Sequence, residues 1–343
     1  MQVHPLKFQL SEWIRSLSDG APMPFHPLKF QLPLATGGIA LMAYNYLQFA
    51  VPTTGDVTLG DLWAAQMSAP QFLLNWFLVG LMLVFTVFTL GAAAVYLRQM
   101  FKWRRDKVLC EEFLADAPTV VVGGCIPYAS LAMTAMVCFA PLAFFCPLMS
   151  SNPQTLMLPG LLLYGVLWVG LIRYECIILK KWLTQPFDET KLNFIWLLDA
   201  FSFGMMSLMG AGIAATAHNA SIASIAACTA LFVSILGLLL LAVKLCYLVI
   251  LQLKAAALPT INVLPSFFIV VPISCLYGFG LHKLAHYLQA HHSMDMKVML
   301  FFTLLNPYVI AVGWALFTVY LLWEYLRNDF PKCDFAFPQW SII

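Results

Sequence analysis

The amino-acid sequence predicts an all-α integral membrane protein that crosses the bilayer about eight times, as four helical hairpins. Three observations predict it. The 343 residues are 62% hydrophobic and only 10% charged, with a mean hydropathy of +0.84. Eight apolar runs are each long enough to span hydrocarbon. The Lys and Arg residues fall almost entirely between alternate runs.

A soluble domain carries about 25% charged residues. No soluble fold hides the apolar surface that this composition creates, so lipid is the solvent. A net charge of +2 gives no reason to expect nucleic acid as a partner. The nine cysteines, at 110, 125, 138, 146, 176, 228, 246, 275 and 333, form no Cys-x-x-Cys pair. Seven sit in or beside apolar segments, which reads as buried or lipid-facing thiols and supports neither a disulfide framework nor a metal site. No phosphate-binding loop, His-Glu-x-x-His or dinucleotide fingerprint is present. The expectation is a protein that is not an enzyme and carries no cofactor, any activity resting on intramembrane residues.

A spanning helix needs about 20 apolar residues, and runs of this length exclude barrel strands. The runs are 33–51, 71–98, 119–148, 156–180, 193–217, 222–252, 265–289 and 297–326. Before them lies a polar, proline-containing segment, 1–32, without the apolar core of a signal peptide. After the transmembrane domain, 33–327, comes a tail, 328–343.

Orientation follows from Lys and Arg. Sixteen of the 18 lie on one side: Lys7, Arg15 and Lys29 before the first run; Arg98, Lys102, Arg104, Arg105 and Lys107 after the second; Arg173, Lys180, Lys181 and Lys191 between the fourth and fifth; Lys244 and Lys254 at the end of the sixth; Arg327 and Lys332 in the tail. Lys283 and Lys297 remain for the other side. The basic side, with the N-terminus, is expected to be cytoplasmic in a cell membrane. The connections on the opposite side are mostly short (149–155, 218–221, 290–296), so the runs pair as hairpins.

Within each hairpin the members differ. The first carries the helix breakers: Pro33, Gly37 and Gly38; Gly123, Gly124, Pro127, Pro141 and Pro147; Gly204, Gly210 and Gly212; Pro265, Pro272, Gly278 and Gly280. The second is richer in Leu, Val and Trp and ends in cations. A broken backbone is tolerated in a membrane only where protein or water satisfies the freed groups. The odd helices are therefore expected to face an interior and the even helices lipid. Asn306 and Pro307 make the eighth a partial exception. Two further features stand out. His4-Pro-Leu-Lys-Phe-Gln-Leu10 recurs identically at 26–32, as a tandem duplication or an interfacial arm with Phe8, Trp13 and Phe25. The terminal Phe335-Ala-Phe-Pro-Gln-Trp-Ser-Ile-Ile343 has the Pro-led character of an odd-helix start.

Asp199, about 9 Å into the fifth helix, is the most informative ionisable residue. Groups at such depth pair or line a water path. Arg173 and Glu175 on the fourth helix and Lys244 on the sixth lie at comparable depth, and the expected partner is Lys244 or Arg173. A structural ion pair and a proton or ion site both fit. His282 and His286, at i and i+4, with His291 and His292 beyond, read as interfacial residues or as ligands. The phenylalanines of the odd helices (139, 144, 145, 201, 203, 267 and 268) read as core packing or as an apolar plug of the kind that gates pores by excluding water. A pore lined by Gly, Ser, Thr and backbone amides, with a basic mouth, favours anions.

The hairpin series, the broken odd helices, Phe30-Gln-Leu-Pro-Leu-Ala-Thr-Gly-Gly-Ile-Ala-Leu41, Leu264-Pro-Ser-Phe-Phe-Ile-Val-Val-Pro272 and Phe337-Pro-Gln-Trp-Ser341 together resemble the tellurite-resistance/dicarboxylate transporter family, with its plant slow anion channels and fungal malate and sulfite transporters. The resemblance covers about 30–343. It implies ten helices as five hairpins around a central pore, of which this chain holds four and the stump of a ninth helix. It also implies a homotrimer of separate pores and a gating phenylalanine. That residue belongs to the ninth helix and has no counterpart here. The resulting expectation is a membrane transporter or channel for small anions, a dicarboxylate or an inorganic oxyanion. Phe203, Phe268, Gly37 and Gly124 are its candidate pore or gate residues, and Asp199, Arg173 and Lys244 its ion-pair or proton site. The alternative is a haem- or quinone-binding membrane anchor of an oxidoreductase complex.

Overall fold

Proline-rich starts and long uninterrupted apolar runs give two kinds of helix, and the chain alternates between them. The structure, a computed structural model, describes residues 25–53, 55–65, 67–186, 188–255, 257–333 and 338–339. The first copy of the heptapeptide, Phe8, Trp13 and most of the terminal segment after 333 lie outside the described residues. The main helices are α1 (Gln31–Ala50), α2 (Ala69–Arg105), α3 (Pro118–Phe145), α4 (Pro153–Thr184), α5 (Phe194–Thr216), α6 (Ala220–Ala255), α7 (Ile261–His292) and α8 (Lys297–Leu321). Among the described residues there is no strand.

Helices α2 to α8 are seven helices long and apolar enough to cross a membrane, so the chain is an all-α, multi-pass membrane protein. The run expected as the first crossing forms α1, whose 20 residues cover about 30 Å, the thickness of the hydrocarbon layer. It is less apolar than the other seven because its second half holds Asn45 and Gln48. Gln48 works locally. Its Oε1 accepts from Val57 N (2.7 Å) and Tyr44 Oη (3.3 Å), and its Nε2 donates to Gly55 O (2.8 Å). The side chain thus folds the following loop back onto the helix end. That loop continues into a short helix, Leu59–Ala64, whose start is closed by the reciprocal Thr58 and Asp61 bonds.

The helices pack as hairpins α1–α2, α3–α4, α5–α6 and α7–α8, while α1, α3, α5 and α7 also pack in succession on one another. The odd members form the interior. In the most apolar stretch of each, 67% of α3, 83% of α5 and 61% of α7 is buried, against 39% of α2, 22% of α4, 39% of α6 and 11% of α8. The eighth helix is not an exception. It runs unbroken through Pro307, which lies against Gly278 of α7, and it is the most exposed of the seven.

Tight 3₁₀ turns stand at or near the start of every odd helix. Pro27–Phe30 precedes α1, Phe194–Leu197 opens α5 and Ile261–Ile269 opens α7, while α3 begins with one α-helical turn, Pro118–Val121, followed by the 3₁₀ turn Val122–Cys125. In α3 a wide π turn, Cys138–Leu142, adjusts the backbone around Pro141. Such turns leave carbonyls without an i+4 donor, and an outer helix supplies one from a side chain. Tyr174 of α4 donates to Val121 O (2.6 Å), Lys244 of α6 to Trp196 O (3.2 Å) and Trp314 of α8 to Phe267 O (2.8 Å). Each donor belongs to the hairpin partner of the helix it satisfies, as membrane backbone requires. The second heptapeptide copy is part of this scaffold, not a free arm. His26 Nδ1 accepts from Leu28 N (3.2 Å), and Lys29 and Phe30 are buried.

Candidate functional site: a cavity on the inner helices and an ion cluster behind it

A cavity of about 650 Å³ is lined by all four odd helices, together with Ala315 of α8 and Pro338 of the tail. It starts among their first turns, at Leu28, Gln31, Ile195 and Ser266, and runs inward past Gly38, Phe201, Met205, Phe268, Pro272 and Phe279. Its walls are mostly Leu, Ile, Met and Phe, with Gln31, Ser266 and Cys275 as side chains bearing a polar atom. At the same end α2 finishes with Lys102, Arg104 and Arg105, and Arg104 Nη2 donates to Tyr128 Oη of α3 (2.7 Å).

The four expected gate or pore residues separate here. Phe268 lines the cavity. Phe203 does not: it is fully buried where α5 meets α6, close to Gly237. Gly37 faces α3, where a Cβ would come within 2.6 Å of Met133 Cγ. Gly124 faces α4 and receives the Tyr174 ring. These two glycines are sites of close helix approach. The cavity is lined instead by Gly38 and Ile126, and Phe201 takes the place expected of Phe203. Because α5 is covered on nearly every side, no apolar stripe in its sequence distinguishes residue 201 from 203.

The ionisable residues meet on the far side of α5 from the cavity. Asp199 pairs with Lys244, both within the protein interior. Asp199 lies in the first turn of the α-helical part of α5, and its Oδ1 accepts from Ala200 N (2.6 Å). The Lys244 ammonium sits between the rings of Trp182 (4.4 Å) and Trp196 (4.5 Å) and donates to Trp196 O. Arg173 is not a partner. It is exposed on the outer face of α4. Its neighbour Glu175 is the residue that turns inward, 2% exposed, beside Cys125, whose Sγ lies 3.9 Å from Oε2. A signal for this was present in the sequence. Gly160, Tyr164, Leu167, Leu171, Glu175 and Ile178 recur every three or four residues and form the buried stripe of α4, whereas residue 173 lies off it.

The histidines stay at the other end of α7. His282 and His286 touch through their Nε2 atoms (3.2 Å), and His282 Nδ1 is 3.4 Å from Thr303 Oγ1. Both stand on one helix. Among the described residues no three His, Cys, Asp or Glu side chains gather as metal ligands would.

Comparison of the sequence with protein-family models and with curated proteins, and of the fold with solved structures, found no match.

Proposed function

We propose that this chain is a transporter or channel for small anions, a dicarboxylate or an inorganic oxyanion, and a relative of the tellurite-resistance/dicarboxylate transporters. The observation that carries the reading is the cavity to which α1, α3, α5 and α7 all contribute, with Ala315 of α8 and Pro338 at its border. Helices with 3₁₀ and π turns are tolerated at membrane depth where they surround an interior, and these do. Lys102, Arg104, Arg105 and Lys107 cluster near the starts of the inner helices, where fixed positive charge raises the local anion concentration. Phe201 and Phe268 form the apolar constriction, which passes solute when it wets and blocks when it dries. In this reading the chain lies in a cell membrane with the basic end cytoplasmic and assembles as a homotrimer.

The test is anion efflux from liposomes containing the purified protein, with chloride, nitrate, sulfate and malate, at equal pH and with a proton gradient. The expected result is efflux of at least one anion that empty liposomes lack. A second reading, a quinone-binding membrane anchor, is favoured by the apolar lining of the same cavity. It predicts no efflux of any anion, copurifying quinone, and displacement of that quinone by Phe201→Trp.

A further inference from the structure

We propose that Glu175, Asp199 and Lys244 form a proton-binding site, with one proton held on the Glu175 carboxyl in the packed state. Three ionisable groups from α4, α5 and α6 lie within the interior at 2%, 0% and 3% exposure. Two are carboxyls and one is an ammonium, so the charges do not balance unless one acid stays protonated. Lys244 is fully engaged by Asp199, Trp196 O and the two indole faces. Asp199 is fixed in turn by Lys244 and Ala200 N. Glu175 has neither kind of support: its carboxyl lies against the Asp199 carboxyl, with which it can form a hydrogen bond only when one of the two acids carries a proton, and its Oε2 lies 3.9 Å from the Cys125 thiol. An ionised carboxylate so placed costs several kcal/mol, whereas a neutral acid does not.

The groups facing Glu175 come from every neighbouring helix. Cys125 comes from α3, Asp199 from α5 and Lys244 from α6. Tyr277 of α7 closes the far side of Asp199 by donating to Ala200 O (2.7 Å). None of these offers Glu175 a free cation. Arg173 points away, and Arg104 is turned to Tyr128. Release of the proton therefore puts a second negative charge beside Asp199, and relief requires α4 to withdraw from α5 or Lys244 to change partners. Proton occupancy and the α4–α5–α6 contact are one equilibrium. The site depends on this packing alone, whichever solute fills the cavity.

Infrared difference spectroscopy on the full-length protein in lipid tests it. At pH 7 the protein should show the carbonyl stretch of a protonated carboxylic acid. Growth on ¹³C-glutamate should shift that band and ¹³C-aspartate should not. Among the described residues the other glutamates, Glu111, Glu112, Glu189 and Glu324, are exposed, unlike Glu175. Glu175→Gln should remove the band, which separates residue 175 from every other glutamate. The labelling works on the unaltered chain, so a variant that fails to fold does not prevent the measurement. Absence of the band at pH 7, a band that moves with the aspartate label, or one that Glu175→Gln leaves unchanged overturns the proposal.

Discussion

Lys244 is the most constrained charge among the described residues, and the cost of disturbing it depends on what its neighbours do. Replacing it with Met leaves Asp199 buried without a cation, and the expected loss of stability is about 3–5 kcal/mol. The double variant Lys244→Met, Asp199→Asn should recover most of that loss, because no unpaired charge remains. Asp199→Asn alone should cost less than Lys244→Met, since Glu175 can ionise and pair with the ammonium. Thermal unfolding of the three variants in one detergent orders them. His26 sets a separate, pH-dependent effect. Burial, then the neighbouring Lys29 charge, push its imidazole down to about 4 from 6.5, against a smaller opposing effect of Asp116. The unfolded chain binds the proton first as pH falls, so this contribution is complete above about 6.5 and declines toward about 4. Its full size is about 3 kcal/mol. Stability of His26→Gln should be flatter than wild type across that window. At this scale the sequence revealed Asp199 and named Lys244 as one of two partners. It did not show the Trp182 and Trp196 box, because these indoles are remote from Lys244 in sequence and meet it only through the folding of α4, α5 and α6.

Each inner helix needs its outer partner for a reason beyond apolar contact. The 3₁₀ turns near their starts leave carbonyls exposed, and Tyr174, Lys244 and Trp314 answer them. Trp314→Phe keeps the aromatic packing but leaves Phe267 O without its donor, with an expected cost of about 1–3 kcal/mol. Close approach is the second requirement. A Cβ on Gly237 would collide with Tyr277 Oη and lie 2.5 Å from Phe203 Cβ, whereas one on Gly212 meets nothing within 4 Å. Gly237→Ala should therefore destabilise by about 1–3 kcal/mol, while Gly212→Ala should not, as read by unfolding of both in parallel. The inner and outer roles of the helices were legible in the sequence because Pro and Gly concentrate in the odd members. The direction each glycine faces was not. Gly37 and Gly38 are adjacent, yet one packs on Met133 and the other lines the cavity, a choice fixed by helix rotation.

At the scale of the whole molecule, four hairpins place their irregular helices inside and their regular ones outside, with a cavity where the inner four meet and an ion cluster behind α5. Composition and the long apolar runs were sufficient to predict an all-α, multi-pass membrane protein. Of the eight runs expected to cross, seven form helices long and apolar enough to do so, and the first forms the less apolar α1. The apolar character of the cavity was not predicted, since Gly, Ser and Thr of the odd helices turn mainly toward neighbouring helices and leave Leu, Ile, Met and Phe to line the space. The central claim is that this cavity is the solute path. The most direct measurement compares anion efflux from liposomes carrying the wild type, Gly38→Trp and Phe268→Ala, after each is shown to be folded by its unfolding transition. Gly38 borders the cavity, and a Cβ there would have Met133 Cε, 4.0 Å away, as its nearest neighbour beyond its own helix, so an indole at this position fills the space. A solute path through the cavity requires efflux in the wild type, its loss in Gly38→Trp and its increase in Phe268→Ala. Equal efflux in all three, or none in the wild type for any anion, contradicts it.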